Sequence, residues 1–124
     1  RHVGRGWSIH DGHAAAMRVL DVPPSRRPTA LFAVCDRVAA GALLAAARLG
    51  VSVPEDLSII GFDYQEALAE SLVPPLTTVA LPHALMGQTA VELALAVARG
   101  EQPDPPQRVL PCPLVVRDST ARPR

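Results

Sequence analysis

Two stretches of the chain share one pattern: a polar turn, a short apolar run, and an acid where the run stops. In the first, Pro28 and Thr29 open the run Ala30-Leu31-Phe32-Ala33-Val34-Cys35, and Asp36 closes it. In the second, Val53-Pro54-Glu55-Asp56 leads into the run from Leu57 to Phe62, and Asp63 closes it. Short apolar, β-prone runs bounded by turn residues read as buried strands. Between them lies a long alanine- and leucine-rich helix, Arg37 to Leu49, stopped by Gly50. Strand, helix and strand make a βαβ unit, whose crossover is right-handed in nearly every known case. If the two strands are neighbours, Cys35, Asp36 and Asp63 emerge on one edge of the sheet. Open parallel sheets hold their ligands outside that edge, so Asp63 is the first candidate for a contact.

The flanking pattern extends this unit. Ser8-Ile9-His10-Asp11 has capping-box spacing, a serine with an acid three residues on, and predicts a helix to about Leu20. Pro23 and Pro24 stop it. The helix from Arg37 to Leu49 is polar only at Arg37 and Arg48. A surface helix keeps a wider polar face, so cover on most sides is expected, from the sheet and from a partner subunit. Tyr64 to Leu72 reads as a short helix or irregular turn, broken by Pro74 and Pro75, and Leu76 to Leu81 as a further strand or extended crossover. A last helix runs from about Pro82 to Arg99, with proline at its start and Gly100 at its end. Its polar stripe, Gln88, Glu92 and Arg99, is thin. Arg108-Val109-Leu110 and Leu114-Val115-Val116 read as short strands, and the chain from Asp118 as a tail. Residues 1–6 are too short for an assignment.

Composition narrows the function. The chain has 124 residues, 48% of them hydrophobic, enough for one modest domain with a core. Twelve basic residues balance twelve acidic ones, so the segment lacks the positive footprint of a nucleic-acid surface. All the basic residues are arginine, which reads as codon bias in a GC-rich genome. Two cysteines, Cys35 and Cys112, make no disulfide framework, and a reducing cytoplasm fits. No run approaches the ~18–20 apolar residues of a membrane span. The chain starts at Arg1 without methionine or a secretory signal and reads as cut from something longer. His10 and His13 lie three apart on a helix face, but no third ligand completes a metal site. No nucleophile–base pair points to an enzyme, and nothing calls for a cofactor. Cys35, just before a helix N-terminus, has the placement of a reactive thiol, yet an inert buried cysteine fits better. Asp36 reads as a helix cap, and a cap is also the competing reading of Asp63.

The order of these segments resembles the C-terminal half of the sensor domain of LacI/GalR-family transcription regulators. The matching words are Gly6-Trp7-Ser8 with Asp11-Gly12, Arg27 to Ala33, Asp36 with Ala39-Ala40-Gly41-Ala42, and Leu49-Gly50-Val51. The most specific is Val53 to Asp63, followed by Pro74-Pro75-Leu76-Thr77-Thr78-Val79, Met86-Gly87 and Leu114 to Thr120. The resemblance implies an α/β fold of the type I periplasmic-binding-protein kind, a parallel sheet flanked by helices. It implies mainly the C-terminal lobe, incomplete, with residues 1–124 as one partial domain and the helix 82–99 belonging to the N-terminal lobe. It further implies a homodimer that binds operator DNA through an N-terminal helix-turn-helix lying outside this chain. A small sugar-like or purine-like effector would bind between the lobes and change DNA affinity.

Carried over residue by residue, the resemblance makes Asp63 the carboxylate that accepts hydrogen bonds from effector hydroxyls or ring nitrogens. Trp7 matches an aromatic position beside the ligand. Cys35 stands where relatives often carry a polar contact residue, commonly asparagine, and His83 stands near the lobe crossover, where some place an aromatic. Leu81 and Tyr64 replace residues that are often polar, which suggests a ligand unlike those of the best-known members. The different-class alternative is a fragment of a transporter's periplasmic solute-binding protein, which shares the fold. The Val53 to Asp63 run favours the regulator.

Overall fold

The computed structural model describes residues 6–122; residues 1–5, left unassigned above, lie outside it. The chain divides into two compact units, one running to Ala80 and resuming at Leu114, the other spanning Leu81–Pro113.

In the first unit, helix α1 (Ile9–Leu20) starts at the expected capping box. The Ser8 hydroxyl accepts from Asp11 N–H at 3.1 Å, and Ser8 N–H donates back to the Asp11 carboxylate at 3.1 Å. The hydrogen bond from the Ser8 side chain is the largest influence holding the Asp11 carboxyl below its ordinary range. After a short 3-10 turn, strand β1 (Ala30–Phe32), helix α2 (Asp36–Arg48) and strand β2 (Ser58–Asp63) form the expected βαβ unit, and Gly50 ends α2 at φ +65°. Helix α3 (Glu66–Ser71) leads to strand β3 (Thr77–Ala80), and strand β4 (Leu114–Val115) completes the sheet. The order is β1-β2-β3-β4, with the first three parallel and β4 antiparallel. In register, Phe32 lies beside Ile60, Phe62 beside Val79, and Val79 beside Leu114.

Alternation gives β2 two faces. Ile59 and Gly61 are buried, while Ile60 and Phe62 lie half-buried on the other side. Eight of the thirteen α2 residues are buried, as its thin polar face requires. Much of that cover comes from α1. A Cβ added at Gly41 would stand 2.1 Å from the Ile9 carbonyl, and one added at Gly12 would stand 2.3 Å from the Val38 carbonyl. The two glycines let the helix backbones touch. An exposed Gly→Ala change in a helix gains about 1 kcal/mol of propensity. Gly41→Ala will instead lose about 2 kcal/mol, because a rigid backbone blocks the new methyl. Thermal unfolding of the full-length protein checks the sign.

Ser119 stitches the amino-terminal ends of β2 and β3. Its buried hydroxyl donates to Ile59 O at 2.6 Å and accepts from Thr77 N–H at 2.8 Å. The supposed tail thus carries a structural residue.

The second unit is organised by helix α4 (His83–Ala98), which ends ahead of Gly100 at φ +78°. None of its residues is fully buried, although the helix is apolar on nearly every side. The expected strand Arg108–Leu110 is absent among the described residues, where that stretch has no regular structure. Prolines at 103, 105, 106, 111 and 113 surround it and remove ladder donors.

Candidate functional site

The parallel pairing of β1 and β2 sets the site. Ala33 N–H donates to Ile60 O at 2.8 Å, so the chain leaving β1 stays beside β2 up to their carboxyl ends. Cys35 follows there as the extended N-cap of α2, and Asp63 is the last residue of β2. Cys35 is 5% exposed, and its thiol points to the Trp7 carbonyl at 3.7 Å. Trp7 is thereby held at the same edge, with 62% of its surface open to solvent. Burial and this contact fit the inert reading of Cys35. The Trp7 exposure leaves an aromatic face available for stacking.

Asp36 is not the cap expected from its position. Cys35 occupies the N-cap without a side-chain cap bond, and Asp36 is already helical. Its side chain turns into the sheet and is fully buried. One carboxylate oxygen accepts from Gln65 N–H at 2.7 Å, the other from the Thr78 hydroxyl at 2.5 Å. A Cβ on Gly61 would stand 2.3 Å from that second oxygen, which explains a glycine inside β2. Asp36 therefore binds the start of α2 to β3 and to the loop after Asp63, and it packs against the backbone of β2.

Asp63 and Tyr64 both have left-handed backbone, at φ 103° and 55°. For residues with a Cβ this is a strained choice that surrounding contacts must maintain. The Asp63 carboxylate accepts from the Gln65 side-chain amide at 3.0 Å. The capping alternative for Asp63 falls away, because Gln65 is the N-cap of α3. Gln65 thus does two jobs: its main chain is held by Asp36 and its side chain holds Asp63. Sequence reasoning passed over it, since a glutamine in a presumed turn carries no signal of either contact.

One unit therefore brings Trp7, Cys35 and Asp63 to a single sheet edge. His83 lies in the other unit, exposed at the first position of α4. Among the described residues no group of three His, Cys, Asp or Glu side chains could hold a metal ion. No described helix is long and apolar enough to cross a membrane. An edge carrying a carboxylate braced by an amide, with an exposed indole beside it, suits a neutral ligand that has hydroxyl or N–H donors and an apolar ring face.

Known proteins are similar to the chain in sequence and fold. A family model described as a periplasmic binding protein-like domain matches residues 2–120. The HTH-type transcriptional repressor CytR of Escherichia coli K12 is 40% identical over 121 residues, covering 97% of this chain and 35% of the repressor. A regulatory protein of the LacI family from Chloroflexus aggregans superposes with a TM-score of 0.84 at 35% identity, over 94% of this chain and 41% of that one. The lac repressor dimer bound to operator and the anti-inducer ONPF superposes with a TM-score of 0.81 at 32% identity, over 94% and 39%. The chain spans about a third of the length of the curated relative it matches. With its parallel sheet and flanking helices, the chain belongs to the periplasmic binding protein-like domain family, and it is similar to part of the LacI-family regulators.

Proposed function

We propose that this chain is the effector-sensing part of a DNA-binding transcription regulator, a repressor, and that its ligand is a small sugar-like or purine-like molecule. The observation that carries the reading is the placement of Asp63. It ends an inner strand, is turned by left-handed backbone and is braced by Gln65, on the edge that also presents Trp7. In this reading the Asp63 carboxylate accepts hydrogen bonds from ligand hydroxyls or ring N–H groups. The Trp7 ring covers an apolar ligand face. Cys35 lines the floor without a strong polar contact, and His83 is the remaining candidate contact residue.

The helix 82–99 belongs in this account to the N-terminal lobe, whose remainder lies in the rest of the protein. That assignment is consistent with a helix that buries none of its residues fully here. The protein works as a homodimer in the cytoplasm and grips operator DNA through a separate helix-turn-helix. Exposed Leu44 on α2 and exposed Val73 offer an apolar outer surface for the dimer. The chain carries out no catalysis of its own.

The test is a gel-shift assay of the full-length protein on its own promoter DNA, with cellobiose, lactose, sucrose and adenosine added singly. At least one compound is expected to change operator affinity tenfold or more. A protein that binds no DNA and is exported from its cells would instead be a solute-binding protein, and the proposal would be wrong.

A further inference from the structure

The left-handed turn at Asp63–Tyr64 is held from a second direction, by a residue far away in the chain. Arg117, two residues beyond β4, extends its guanidinium over Tyr64, with Cζ 5.1 Å from the ring centroid. Its Nη2 donates to the Tyr64 hydroxyl oxygen at 3.2 Å and to Glu70 Oε1 at 2.9 Å. The Tyr64 hydroxyl donates to the same Glu70 oxygen at 3.2 Å, which closes a triangle. Nη1 donates to the Leu76 carbonyl at 3.1 Å, and that anchors the guanidinium to the residue preceding β3. The Arg117 side chain is 15% exposed and Glu70 52%.

An exposed ion pair alone would do little. Here the geometry has a definite object. Two consecutive residues with Cβ atoms sit at positive φ, and each such residue persists only when its surroundings over-determine it. Asp36 fixes the chain after the turn through Gln65 N–H. The ring of Tyr64, pinned by Arg117 and Glu70, fixes the turn itself. If the ring is released, the backbone can relax to negative φ, which redirects the Asp63 carboxylate.

We propose that Arg117 is a positioning residue for the ligand site. With Tyr64 and Glu70 it forms a clasp that holds the Asp63–Tyr64 turn and so aims the Asp63 carboxylate. The proposal rests on the preceding reading of Asp63 as a ligand contact. The clasp gives the Tyr64 ring a role that a carboxylate or amide side chain could not fill, since neither offers a ring to a guanidinium.

The experiment compares wild type, Tyr64→Phe, Arg117→Gln and the double variant, all in the full-length protein. Tyr64→Phe keeps the ring and removes only the hydroxyl bonds, so it is the variant least able to disturb folding. Amide exchange is followed at Gln65, Leu68 and Ala69, which donate to the Asp36 carboxylate and to Gln65 O. The clasp predicts exchange at least tenfold faster at these amides, with the β2 amides unchanged, and a double variant no faster than Arg117→Gln alone. Affinity is measured for cellobiose and adenosine, as sugar and purine probes, with Asp63→Asn alongside. Both clasp variants are expected to weaken the bound probe at least fivefold. Unchanged local exchange, or exchange raised equally throughout the unit, overturns the clasp. If Asp63→Asn abolishes binding and Arg117→Gln does not weaken it, the turn needs no clasp for its task and the proposal fails alone. If Asp63→Asn leaves binding unchanged, the ligand-contact reading fails, and the positioning role fails with it.

Discussion

Asp36→Ala will destabilise the sensor portion by about 3–5 kcal/mol. The carboxylate is fully buried and accepts two hydrogen bonds, from Gln65 N–H and from the Thr78 hydroxyl. Truncation strands both donors in a site that water reaches poorly, and a bond to a charged acceptor is worth about 1.5–3 kcal/mol. It also opens a void against Gly61, where a Cβ would now fit but none exists. Asp36→Asn will cost less, about 1–2 kcal/mol. Its amide oxygen can still accept from Gln65, while the Thr78 hydroxyl can turn from donor to acceptor toward the new NH2 group. Urea unfolding of the full-length protein, with unchanged m-values, reads both. An alanine variant as stable as the asparagine variant would mean that Asp36 fills space and does not tie the elements together.

Asp63→Ala will remove the response to effector and leave operator binding intact. Two hydrogen bonds to a charged acceptor make the expected loss of ligand affinity at least ~100-fold. Stability should change by less than ~1 kcal/mol, since Asp63 is only half-buried, although alanine is less at ease than aspartate at φ 103°. This separates Asp63 from Asp36. In the proposed reading the acid on the strand end serves the ligand, while the acid at the helix start ties the fold together. Gel shifts with and without the active compound, on wild type and variant, decide the matter. A variant that binds operator and still responds would place the effector elsewhere.

The two acids show how far the sequence could be read. Both end apolar β-prone runs, and that local pattern located them on one sheet edge. Their different roles were not legible, because each depends on which way a side chain turns once β3 and α3 are in place. Gly61 was a usable signal, since a glycine inside a strand marks something pressing close, and here that neighbour is Asp36. The capping box at Ser8 and the helix ends at Gly50 and Gly100 were legible for the same reason as the strands: each is settled within a few residues. Arg117 could not have been found. It meets Tyr64 across 53 positions of chain, and periodicity carries no information at that range. Arg108–Leu110 misled because a short apolar run invites a strand assignment, whatever the surrounding prolines remove. The site's remaining candidate, His83, belongs to a separate unit, so its role depends on lobe geometry that no local pattern encodes.

The most direct test of the central claim is a crystal structure of the full-length protein with its active sugar or nucleoside bound. The account predicts a ligand oxygen or nitrogen within hydrogen-bond distance, about 3 Å, of the Asp63 carboxylate, and a ligand ring against Trp7. A ligand bound away from the carboxyl ends of β1 and β2, with no contact to Asp63, would contradict it.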